Sequence, residues 1–141
     1  MERASCQTRI RSCDRDHYAQ RLVVTIHDVR SLALTLPRSY EAFVGGRVKF
    51  RVGRIVYLAF SRDETSLGFA FPKEWRDALI ETEPGKFMLP RRSDLRFNWV
   101  VVRLAAIDAA EMRELVIDAW AMVVPKSVAA AYARANPQPT D

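Results

Sequence analysis

The run Trp99-Val100-Val101-Val102-Arg103-Leu104, followed after Asp108 by a helical pattern that stops at Pro125, leaves this chain few ways to fold. Three successive valines between Trp99 and Leu104 suit a pleated surface covered on both faces, which places the strand in the middle of a sheet. Asp108, with Glu111 three residues on, forms a capping box that starts a helix. Met112, Leu115, Val116, Ala119 and Val123 then recur at spacings of three and four, with Trp120 on the flank, and this stripe faces the sheet. Ile117 and Ala121 lie off the stripe and ask for contact with a further element or a second subunit.

Upstream, Thr25 and Asp28 repeat the capping signature, and Val29, Leu32, Ala33 and Leu36 form a first amphipathic helix closed by Pro37. From Tyr40 the period becomes two. Glu41 to Val44, Val48 to Val52, Ile55 to Phe60, and Leu67 to Phe71 read as four short antiparallel strands. Turns at Gly45-Gly46, Gly53-Arg54 and Ser61 to Thr65 separate them. Pro72 opens a second helix with Trp75, Ala78, Leu79 and Thr82 on one face, ending near Glu83-Pro84-Gly85. Lys86 to Arg96 reads as an irregular loop. Pro125 restarts a final helix with Val128, Ala131, Tyr132 and Ala135 aligned.

These elements predict one α+β domain over residues 23–135, with a basic, disordered arm at 1–22 and a frayed tail at 136–141. The arm reads more readily as an extension ahead of a fold that begins near Val23 than as an electrostatic tether. No apolar run approaches the roughly 20 residues a bilayer crossing needs, so a cytoplasmic protein is expected. Cys6 and Cys13 lie in the arm and read as reduced bystanders. A formal charge of +5 makes an anionic partner such as DNA a candidate without establishing one.

The sharpest chemical feature is Arg47-Val48-Lys49-Phe50-Arg51-Val52-Gly53-Arg54. Because strand side chains alternate, Arg47, Lys49 and Arg51 project together, about 6.6 to 7 Å apart, while Val48, Phe50 and Val52 point inward. With Arg54 they form a basic row able to follow phosphates, as β-ribbon readers do. The competing reading is that such cations keep an exposed strand from pairing edge to edge. Lys86, Arg91, Arg92 and Arg96 form a second basic group, whose neighbouring rings Phe87, Phe97 and Trp99 read either as stacking surfaces for unpaired bases or, as such rings more often are, as core. Of these, Trp99 is assigned to the core beside its valines.

Catalysis finds little support. There is no phosphate-binding glycine loop, and His27 is the one histidine outside the arm. Asp63-Glu64 reads as a solvated pair. The expectation is a protein that is not an enzyme, with no cofactor and no metal.

Several strings in order resemble the MmcQ/YjbR family of small bacterial proteins: Leu34-Thr35-Leu36-Pro37, Phe50-Arg51-Val52-Gly53, Phe71-Pro72 leading to Ala78-Leu79-Ile80, Glu83-Pro84 with Phe87, Trp99 to Leu104, Leu115 to Trp120, and Val124-Pro125-Lys126. The match runs from about Val24 to Tyr132. It implies a two-layer α+β fold in the order α-β-β-β-β-α-β-α-α, a curved antiparallel sheet with helices on one side, sometimes described as a double-wing DNA-binding motif. Phe43-Val44 stands where relatives commonly carry histidine, Ala70 where they carry lysine, and Asn98 where they carry glycine. Arg51, Trp99 and Lys126 match. The leading expectation is a DNA-binding or nucleic-acid-associated module contacting phosphate through Arg47, Lys49, Arg51, Arg54, Arg91, Arg92, Arg96 and Lys126. The alternative is a protein-interaction or chaperone-like module that pairs with a protein partner or with a second copy through its sheet or long helix.

Overall fold

A computed structural model describes residues 24–137. The arm at 1–22 and the end of the tail from residue 138 lie outside the described residues. In chain order the elements are α1 (Ile26–Ala33), β1 (Ser39–Val44), β2 (Arg47–Val52), β3 (Ile55–Phe60), β4 (Ser66–Ala70), α2 (Arg76–Thr82), β5 (Phe87–Met88), β6 (Trp99–Arg103), α3 (Ala109–Ala121) and α4 (Lys126–Ala135). No helix among the described residues is long and apolar enough to cross a membrane.

The strands form one antiparallel sheet in the order β1-β2-β3-β4-β6-β5, so the fold is α+β. Gly45 and Gly46, at φ 63° and 78°, make the left-handed turn that joins β1 to β2. Register decides the faces. Val48 and Phe50 of β2, Leu58 and Phe60 of β3, Leu67 and Phe69 of β4, and Val100 and Val102 of β6 are buried on one face. Val29, Ala33, Met112, Val116, Ala119 and Trp120 of the helices join them in the same core. The Thr25–Asp28 capping box forms as read, with Asp28 accepting from the Thr25 amide at 3.0 Å. At Asp108 only half of it forms: Asp108 accepts from the Glu111 amide at 2.8 Å, and the Glu111 carboxylate accepts from Lys86 instead. Arg30 on α1 forks to Glu41 on β1 at 2.9 and 3.1 Å, tying the first helix to the sheet edge.

Four readings change. The valine strand β6 is not central, since only the two-residue β5 lies beyond it, and β3 and β4 hold the middle. It is also not covered alike on both faces: Val100 and Val102 are buried, whereas Trp99 and Val101 are half-buried and Arg103 is exposed. The stretch from Lys86 contains β5, so the element order gains a strand. On α2 the apolar face is different: Trp75 and Ala78 are exposed, while Leu79 and Ile80 pack on the core and Arg76 is buried. Ile117 and Ala121 pack against the chain's own core, and Tyr132 of α4 meets Trp120 edge-on at 5.1 Å.

Candidate nucleic-acid interface

The sheet face opposite the core carries Arg47, Lys49 and Arg51 from β2, Val56 and Ala59 from β3, Gly68 and Ala70 from β4, and Trp99 and Val101 from β6. A groove of about 610 Å³ opens there. Its wall includes Arg47, Lys49 and Arg54 of the hairpin, Arg91, Asp94, Phe97, Asn98 and Trp99 of the segment entering β6, and Met122 and Val123 just past α3. Three cations of the hairpin and one of the second basic group, Arg91, therefore line one concavity. Among the described residues Asp94 is the one carboxylate in that wall, and it faces Arg91 at 3.4 Å.

Trp99 lines this groove while packing, half-buried, against the margin of the core. Its register partner on β4 is Ala70, and its indole lies across Gly68, where an added Cβ would come within 2.5 Å of Nε1. Gly68 is the residue that lets the ring lie flat on the sheet. Phe97 is 50% exposed, and the Arg96 guanidinium sits 4.7 Å from its centroid. Phe87, the third ring of this group, is buried and meets Phe69 edge-on.

The segment that carries these rings is pinned from below. The buried Arg76 guanidinium donates to the carbonyls of Leu95 (2.9 Å), Phe97 (3.2 Å) and Trp99 (3.1 Å). Lys73 Nζ donates to the Arg96 carbonyl, the Lys73 amide to Asn98 Oδ1, and the Phe71 amide to the Asn98 carbonyl. Asn98, where the resemblance leads one to expect glycine, thus caps the short turn that opens at Lys73. Ala70, where it leads one to expect lysine, contributes only a methyl group beside Trp99. These hydrogen bonds fix the backbone that carries the two rings.

The remaining cations divide by environment. Arg51 shares the face of Lys49 but lies outside the groove wall, and its buried Nε has no hydrogen-bond partner among the described residues. Arg92 and Arg96 are exposed beside the groove, and Lys126, the first residue of α4, is exposed and not part of its wall. Lys86 is committed elsewhere: it bridges Glu111 at 2.7 Å and Glu83 at 2.9 Å, and these carboxylates raise its pKa above the ordinary lysine value. Asp63 is a turn organiser, accepting from the Ser61 hydroxyl and from the Thr65 amide and hydroxyl, which hold its carboxyl below the usual range. His27 is exposed beside Arg30, and no cluster of metal-ligating side chains is found among the described residues.

Arg76 was the feature hardest to find from sequence. The partners of Arg76 are main-chain carbonyls, which leave no residue pattern. Trp99 had a signal, the glycine interrupting the Leu67-Phe69 alternation.

A sheet with one face under helices and the other bearing an open, basic groove defines the class, a small α+β module. The family model YjbR matches residues 34–122, more than half of the chain, and the chain belongs to the YjbR family. The match begins and ends inside the span of the sequence resemblance. The crystal structure of Deinococcus radiodurans protein DR2400, described as a DUF419 domain, aligns with a TM-score of 0.63 at 23% identity, over 82% of this chain and 89% of that one. At that identity the likeness establishes the fold alone. No curated protein matches.

Proposed function

We propose that this YjbR-family protein is a non-enzymatic module that binds nucleic acid through the open face of its sheet. The observation that carries the reading is the convergence of Arg47, Lys49 and Arg54 with Arg91 in one groove, with a single carboxylate among them. Arg91 is paired with Asp94, while Arg47, Lys49 and Arg54 have no carboxylate partner among the described residues. Such cations in a concavity raise the local potential and attract a polyanion, and each phosphate they neutralise releases counterions. Lys86, held by two glutamates, contributes to the fold and takes no part in this binding.

The test is fluorescence anisotropy of a labelled oligonucleotide with the full chain across a salt series. Affinity falls steeply as salt rises, and the double reversal Arg47→Glu with Lys49→Glu weakens binding at least tenfold at low salt while circular dichroism and melting temperature stay near wild type. Unchanged affinity in that variant would reject the groove and assign any binding to charges elsewhere, such as the arginines of residues 1–22.

A further inference from the structure

We infer that the groove takes an unpaired nucleotide of a single strand, its phosphates along Arg47 and Lys49 and its base against Phe97 and Trp99. The inference rests on the nucleic-acid reading above and specifies its substrate class.

Shape is the first argument. A protein that reads duplex DNA inserts a helix or ribbon into a groove roughly 12 Å wide, which requires a projecting element. Here the cations of β2 line a recess with Trp99 and Phe97, and its volume of about 610 Å³ falls in the range of small-molecule sites. A recess of that size admits a base and its sugar-phosphate, whereas a double helix could lie only across its rim.

The rings are the second argument. Duplex DNA buries its base faces against one another, so a protein aromatic gains nothing from it without unstacking, whereas an unpaired base offers a π face to any ring beside it. Phe97 stays half-exposed with Arg96 against it, and Trp99 lines the groove with its indole set on Gly68. Cationic and aromatic side chains side by side are the pairing that single strands use, backbone on one and base on the other. Six hydrogen bonds from Phe71, Lys73 and Arg76 hold the segment from Leu95 to Trp99 in place.

The experiment compares a labelled oligothymidylate 12-mer, a 12-base-pair duplex and thymidine monophosphate as competitor, at one salt concentration, with the full chain. The 12-mer binds at least tenfold more tightly than the duplex, and the monophosphate competes only weakly. Phe97→Ala, at an exposed site, lowers affinity for the strand about 5- to 100-fold and leaves duplex affinity within about twofold. Phe97→Trp restores strand binding. Equal affinity for strand and duplex, or an equal loss on both in Phe97→Ala, overturns the inference while leaving the nucleic-acid reading in place. Binding to neither polymer overturns both. Competition by the monophosphate as strong as by the 12-mer overturns the single-strand assignment in favour of a free nucleotide.

Discussion

Arg76 places its charge against three main-chain carbonyls, so its removal strips partners from Leu95, Phe97 and Trp99 together. Hydrogen bonds to charged groups contribute about 1.5 to 3 kcal/mol each and do not add fully. Arg76→Ala is therefore expected to destabilise the protein by about 2 to 4 kcal/mol in urea denaturation. Arg76→Lys recovers only part of this, because an ammonium lacks the planar fork. A change below about 0.5 kcal/mol for Arg76→Ala would show that the segment holds itself. Arg76 could not be read from spacing, because helix periodicity marks apolar faces and says nothing of a guanidinium whose acceptors are backbone atoms 19 to 23 residues away. Trp99 was misassigned for a different reason. Val100 and Val102 are core, and their company hid the alternation that turns Trp99 to the other face; Gly68, across the ladder, was the clue.

Strand β3 contains an irregularity that links the sheet's first strands. The register of β2 and β3 shifts between Phe50 and Arg51, leaving Tyr57 as the extra residue, fully buried, with its hydroxyl 2.6 Å from Ser39 on β1. Burial pushes the Tyr57 phenol up to about 12, against an ordinary value of 10.0. A folded pKa above the unfolded one favours the protonated form, so its stabilising contribution is complete below pH 10 and is lost as pH rises towards 12. Over that window the wild type should lose roughly 2 to 3 kcal/mol that Tyr57→Phe does not, as read from the difference of their denaturation free energies. Parallel pH curves would mean that Tyr57 ionises freely in the folded state. Legibility at this scale followed periodicity and caps. The helices α1 and α3 and the strands β2 to β4 were readable because alternation, stripes and capping residues agreed. The edge strand β5 was not, since Phe87–Met88 is too short to display a period and takes its identity from pairing with Val101 and Val102.

For the whole molecule, the helices cover one sheet face and leave the other with a basic groove between hairpin and loop. Which cations meet was invisible in the sequence, because Arg47 and Arg91 are brought together by strand order and not by spacing. Concavity was equally hidden: the alternating basic row suggested a ribbon that projects, and the fold sets it into a recess. The central claim is one of location, so the direct measurement is an amide NMR titration of the full chain with the oligothymidylate 12-mer. The account predicts shifts concentrated in Arg47 to Arg54 and Arg91 to Val101, with the cleft of Thr35, Pro37 and Tyr132 on the helical side unmoved. Shifts centred on that cleft or on the exposed face of α4, with β2 silent, would contradict it.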